Sequence, residues 1–170
     1  MLPDFLKDHA TASAVAARFP DSVRGGKADL GELTLEVEPA AIVAVCRYLK
    51  DELQFNRLSS VTGVDRLHDR PRFELNYHLH SLPRNERLRL KCRVPESTEP
   101  VIESVYSVWR SANWFEREIF DLFGVVFSNH PNLQRLLMPL DWEGHPLRKD
   151  YPVHGYKYTY GQDETLGSLP

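Results

Sequence analysis

The sequence predicts a two-layer α+β domain, a small mixed sheet with helices mainly on one face, followed by an extended C-terminal arm. Three observations carry this prediction. Residues 72–80 and 87–94 alternate apolar and polar side chains and are joined by the short linker 81–86, which marks a β-hairpin with one wet face. Elsewhere apolar residues recur at helical spacing, above all Ile42, Val45, Cys46, Leu49 and Leu53. From Val125 onward that regularity dissolves, because Pro131, Pro139, Pro146 and Pro152 recur too often for long helices or central strands. Residues 1–130 are therefore expected to form the core domain, and residues 131–170 a Pro- and Tyr-rich arm.

Taken in order, residues 4–18 are predicted as a first helix, with Phe5, Val15 and Phe19 available for burial and Pro20 ending it. Gly25-Gly26 predicts a turn. In the segment from Glu32 to Val37, Leu33, Leu35 and Val37 alternate with Thr34 and Glu36, as in a half-buried strand. Pro39 suits the first turn of a helix that runs to about Glu52. Residues 57–64 place Leu58, Val61 and Val64 among small polar residues and predict a strand leading into a turn over 65–71. In the hairpin that follows, Phe73, Leu75, Tyr77 and Leu79 face the helices with Leu88, Leu90, Cys92 and Val94. Its other face is strongly basic, with Arg87, Arg89, Lys91 and Arg93 beside His78 and His80. That face is either solvated with Glu74 as its partner, or a docking surface for an acidic protein or anionic lipid headgroups. The His78 and His80 pair lacks a third metal ligand nearby. Glu99-Pro100 opens a predicted helix striped by Val101, Val105, Val108 and Trp109, and residues 111–113 break it.

The next stretch, residues 114–124, reads WFEREIFDLFG and organises the rest. On a helix of about 100° per residue, Phe115, Ile119, Leu122 and Phe123 share one side, while Trp114, Arg117, Glu118 and Asp121 share another. Asn113 stands at the N-cap with Glu116 three residues on, a capping-box pattern, and Gly124 supplies the stop. Arg117 and Asp121 are i,i+4 neighbours and Glu118 and Asp121 are i,i+3 neighbours, so one guanidinium stands beside two carboxylates. Beyond it, residues 132–137 have room for one or two helical turns, and Asp141-Trp142-Glu143-Gly144 predicts a turn. The final segment from Tyr151 holds Tyr156, Tyr158 and Tyr160 with almost no aliphatic residues, and is expected to lie along another protein.

Composition excludes several functions. A net charge of −3 lacks the basic excess of a nucleic-acid binder. No apolar run approaches the roughly 20 residues that span a bilayer, and the N-terminus lacks the basic start and apolar block of a secretory signal, so the chain is expected in the cytoplasm. Cys46 and Cys92 are expected as small core residues, and two cysteines fall short of the four ligands of an iron-sulfur cluster. Nucleotide-binding and hydrolase motifs are missing. The best enzymatic alternative is an acid-base or metal site of Glu118, Asp121 and His130.

Two blocks carry a resemblance. Glu116-Arg117-Glu118, Asp121, Gly124 and Phe127, then His130-Pro131, Leu133, Arg135 and Leu136-Leu137, resemble the signature of the C subunit of the proton-pumping NADH:quinone oxidoreductase, respiratory complex I. The second block, Asp141-Trp142-Glu143-Gly144-His145-Pro146-Leu147-Arg148-Lys149-Asp150-Tyr151-Pro152, looks like the family's second conserved stretch. The resemblance implies a structural component of the peripheral arm with no cofactor of its own and no activity in isolation. It implies seating against the quinone-binding D subunit and the B and I iron-sulfur subunits, on the cytoplasmic side of the cell inner membrane, with membrane association only through those partners. FMN and iron-sulfur clusters are expected in other subunits, which pass electrons from NADH to quinone. Both blocks are then structural and interfacial. Similar subunits occur in membrane-bound hydrogenase-type complexes, which is the alternative assignment.

Overall fold

The computed structural model describes residues 6, 9–95 and 99–153. Phe5 and the tyrosines at 156, 158 and 160 lie outside these. The first helix, α1, spans Ala10–Arg18 and buries Thr11, Ala12 and Val15. Gly25-Gly26 is not a turn. Both glycines lie within strand β1, Val23–Asp29, and the chain reverses at Leu30 and Gly31, whose positive φ of 50° and 77° suit a two-residue hairpin. A Cβ at Gly26 would stand 2.5 Å from the Thr34 carbonyl oxygen and 2.9 Å from Leu6, so this glycine serves close packing within a strand.

Strand β2, Glu32–Val37, and helix α2, Ile42–Asp51, form as expected, with Pro39 opening a short 3₁₀ turn between them. Strands β3, Arg57–Asp65, β4, Phe73–Ser81, and β5, Glu86–Arg93, follow. The turn joining β3 to β4 contains a cis Arg70–Pro71 peptide. The sheet order is β1-β2-β5-β4-β3, with β2 and β5 parallel and every other pair antiparallel. The α+β class with a small mixed sheet is thus borne out.

One apolar cluster fills the space between sheet and helices. Leu35, Leu75, Tyr77, Leu90 and Cys92 from the sheet meet Ile42, Val45, Cys46 and Leu49 from α2, all fully buried. Burying a Leu or Val side chain contributes about 1.5–3 kcal/mol, so this layer is the main source of stability. Gly63 of β3 would place a Cβ 3.0 Å from the Phe123 ring, which brings the third helix onto the same face.

The helix predicted from Glu99-Pro100 to Trp109 does not form. Strand β6, Val101–Glu103, pairs in parallel with strand β7, Val126–Ser128, and a 3₁₀ turn, Val105–Ser107, comes next. Ile102 is buried while Val101 and Glu103 are exposed, a period of two that the helical stripe concealed. Ser104 accepts a bond from the Tyr106 N–H and thereby starts the 3₁₀ turn. Helix α3 then runs Ala112–Phe123, beginning two residues before the expected start. Asn113 accordingly sits inside the first turn, and Ser111 precedes the helix without a side-chain cap. Residues 132–137 are not helical, because several of their backbone groups bond to α3 instead. No helix among the described residues is long and apolar enough to cross a membrane.

Candidate functional site

Helix α3 lies at the centre of a polar clamp built by residues 130–151. Asp121 is fully buried, and it does not pair with Arg117 as the i,i+4 spacing suggests. Its Oδ1 accepts from Arg135 Nη1 at 2.7 Å, and its Oδ2 accepts from the N–H groups of Leu136, Leu137 and Met138 at 3.0, 2.7 and 2.8 Å. A carboxylate with four donors holds a chain bend much as an anion fills a backbone nest. Burial pushes the Asp121 pKa up, but the Met138 N–H, Arg135 and the other two amides outweigh it and hold the group below the usual carboxylate range. Arg117 instead donates to the carbonyls of Gln134 and Arg135, both at 3.1 Å, and stacks on Trp114. Glu118 is exposed and has no ion pair among the described residues.

The second sequence block caps the C-terminal end of the same helix. The last carbonyls of a helix lack intrahelical partners and attract cations. Here the Phe120 carbonyl accepts from the Gly124 N–H at 2.9 Å, and the Leu122 carbonyl from the Leu147 N–H at 3.1 Å. The Asp121 carbonyl accepts from His145 Nδ1 at 2.9 Å and more distantly from Arg135, and the Phe123 carbonyl from Arg148 Nε at 2.6 Å. Gly124 takes a φ of 73°, and a Cβ there would stand 2.4 Å from Arg148 and 2.5 Å from His145. Arg135 also reaches the carbonyls of Trp142 and Gly144, each at 3.0 Å. Lys149 contributes its backbone N–H to Asp65 at 2.7 Å, and Arg72 bridges Asp65 and Asp150, also at 2.7 Å. The Tyr151 hydroxyl donates to the Glu143 carbonyl. Pro131 and Pro152 are exposed and Pro146 is half-buried. The stretch from Gln134 to Tyr151 is therefore tied to its own chain's helix and sheet by these bonds.

A second buried acid sits at the other end of α3. Glu116 is fully buried and forms no capping box; its carboxylate accepts from the Ser104 hydroxyl and from the Val105 N–H at 2.8 Å. Burial raises its pKa to about 7, against the opposing pull of those two donors. His130 Nε2 lies 3.9 Å from Glu116 and 3.3 Å from the Asn113 carbonyl. Because His130 Nδ1 accepts from the Asn132 N–H, its proton sits on Nε2. The trio proposed for acid-base or metal chemistry does not converge. Glu118 faces solvent, Asp121 is saturated by its own chain, and His130 meets Glu116. Among the described residues no three His, Cys, Asp or Glu side chains are grouped to hold a metal. Cys46 and Cys92 are buried free thiols, and burial pushes Cys92 up to about 12, far from a thiolate ligand at neutral pH.

Sequence reasoning missed Ser104, Asp65 and Arg72. Ser104 lies in a segment whose stripe predicts a helix, and Asp65 and Arg72 flank the β3–β4 connection, where no periodicity marks them. The clamp leaves apolar side chains facing outward. Of eight exposed large hydrophobics among the described residues, five belong to α3 or the segment after it: Trp114, Leu137, Leu140, Leu147 and Val153.

A family model described as the respiratory-chain NADH dehydrogenase 30 kDa subunit matches residues 35–157, which include both blocks of the clamp. The chain belongs to this family. The C subunit of the NADH-quinone oxidoreductase of Geotalea uraniireducens is 44% identical over 154 residues, covering 91% of this chain and 93% of the relative. The corresponding C subunit of Geobacter metallireducens is 50% identical over 139 residues, 81% of this chain and 85% of the relative. Among solved structures, a chain of the membrane-bound sulfane sulfur reductase (MBS), an archaeal respiratory membrane complex, superposes with a TM-score of 0.74 at 24% identity, covering 86% of each chain. That likeness extends the family's fold to a second kind of respiratory complex.

Proposed function

We propose that this chain is the structural C subunit of a proton-translocating NADH:quinone oxidoreductase, in the peripheral arm on the cytoplasmic side of the cell inner membrane. It seats against the quinone-binding D subunit and the B and I iron-sulfur subunits, and those neighbours and others carry FMN and the clusters that pass electrons from NADH to quinone. The supporting observation is the construction of α3: Glu116, Arg117 and Asp121 are engaged by their own chain, while Trp114, Leu137, Leu140 and Leu147 are left exposed. Clamped backbone presents these side chains at little further cost in conformational entropy on docking. The names of the relatives at 44% and 50% identity favour the NADH-linked complex over a hydrogenase-type relative. Two buried thiols fall short of the four ligands of an iron-sulfur cluster, which supports a chain without a redox centre.

The test is Leu137→Asp with Leu140→Asp, which places charge on the surface without touching the clamp side chains. Recovery of complex from detergent-solubilised membranes should fall about tenfold or more, and NADH:quinone activity per recovered complex should stay near wild type. Normal recovery of complex would reject this surface as the interface. Normal recovery with lost turnover would assign the surface to chemistry or coupling.

A further inference from the structure

The water-facing side of the sheet has two ends that differ in charge balance. At one end Glu74, 2% exposed, gathers Arg66 at 3.0 Å, Arg93 at 3.1 Å and Lys91 at 3.7 Å, and Arg93 also meets Asp69. In this half every one of the three cations has a carboxylate partner within the chain. At the other end the strand register places Arg57, His80 and Arg87 in one row, and Ser60, His78 and Arg89 in the next. Glu32 is the carboxylate here, and Arg89 takes it at 2.9 Å. Arg57 and Arg87 form no ion pair among the described residues. Like charges flanking one central strand repel, so an unneutralised row of this kind favours any anion that can sit across it.

Space for that anion exists. A cavity of about 420 Å³ opens between these residues, lined by Glu32, Arg57, Ser60, His78, His80 and Arg87 together with their neighbours. Nε2 of His80 and Nε of Arg89 are buried and lack a hydrogen-bond partner among the described residues. Burial, and after it the Arg89 charge, hold His78 below its ordinary range, so near neutral pH the ring is uncharged and one nitrogen still carries a proton to donate.

We propose that this cavity binds a phosphate-type oxyanion between Arg57 and Arg87, with the Ser60 hydroxyl and the imidazoles of His78 and His80 as further donors. Two unpaired guanidiniums match the charge of a phosphate dianion, and their planar forks suit its oxygens better than they suit one carboxylate. A free phosphate compound and a phospholipid headgroup present the same chemistry, and the experiment separates them.

The full-length chain is titrated with pyrophosphate, with phosphatidylcholine vesicles containing about a third phosphatidylglycerol, and with a poly-glutamate peptide, following binding by calorimetry and the imidazole resonances by NMR. The Arg57→Gln, Arg87→Gln double variant alters exposed side chains only, and Lys27→Gln on β1 serves as the control. Saturable pyrophosphate binding that shifts the His78 and His80 resonances, weakens about tenfold or more in the double variant and survives in the control supports a free phosphate ligand. The same dependence on Arg57 and Arg87 for vesicles, with pyrophosphate failing to bind, supports a headgroup. Binding of poly-glutamate in place of both overturns the proposal and assigns the row to an acidic protein. Binding of nothing, or binding unaffected by the double variant, overturns it as well.

Discussion

At the scale of single residues, the main lesson is which cation serves which acid. Arg117 is the nearest cation to Asp121 along the helix, yet Arg135, fourteen residues on, makes the ion pair at 2.7 Å. The two arginines should therefore differ in energetic weight. Arg135→Ala leaves a buried carboxylate without its cation and should cost about 3–5 kcal/mol. Arg117→Ala removes two hydrogen bonds to carbonyls from a half-buried side chain and should cost about 1 kcal/mol. Chemical denaturation of the two variants checks the order, and equal losses would restore Arg117 as the partner. The α3 charges were legible as a cluster because carboxylates and arginines recur at helical spacing. Their pairing was not, because spacing along one helix carries no information about a segment that folds back onto it.

At the scale of elements, α3 is completed by chain that belongs to no regular element. His145, Leu147 and Arg148 supply the donors that its last carbonyls lack, and Gly124 leaves room for two of those side chains. Arg148→Ala should thus destabilise the domain by about 1–3 kcal/mol through an unsatisfied Phe123 carbonyl. Hydrogen exchange at the α3 C-terminal turn should accelerate while the β4–β5 hairpin stays protected. Uniform acceleration across both would show that Arg148 supports the whole fold and not the helix end. The hairpin itself was legible in full, since alternation along two adjacent runs leaves one register that buries every apolar residue. The 99–109 segment was not, because Val101, Val105, Val108 and Trp109 satisfy a helical stripe equally well as a short strand followed by a 3₁₀ turn.

At the scale of the whole molecule, the buried acids give stability a pH dependence with two opposing parts. Asp65, Glu74 and Asp121 are held below the usual range, because in each the hydrogen bonds and nearby cations outweigh burial. Their contribution is present above about pH 4 and is lost as pH falls through their folded values. Glu116 acts in the opposite sense. Raised from 4.5 to about 7, it stabilises the fold fully below its unfolded value, and that contribution is lost as pH rises towards 7. His78, His130 and His145, all lowered chiefly by burial, lose stability as pH falls through 6.5 and partly mask it. The comparison that isolates Glu116 is wild type against Glu116→Gln. Their difference in unfolding free energy should shift in favour of wild type by on the order of 2 kcal/mol between pH 7.5 and pH 5. A constant difference would mean that Glu116 titrates normally.

By itself the sequence determined the α+β class, the hairpin with its apolar and basic faces, helix α2, the position of the α3 stop at Gly124, and two blocks specific enough to point to the family. These are properties of periodicity, turn chemistry and local residue identity, which act over a few residues. Tertiary structure alone decided that Gly25-Gly26 lies within a strand, with a register irregularity beside Gly25 and with close packing on Thr34 and Leu6 that excludes a side chain at Gly26. It decided likewise that residues 132–137 bend around Asp121 and that Glu116 turns inward to Ser104. Each of these rests on a partner more than seven residues away in the chain. A buried polar group is satisfied by whichever donor the fold delivers, and only the folded chain fixes which donor that is.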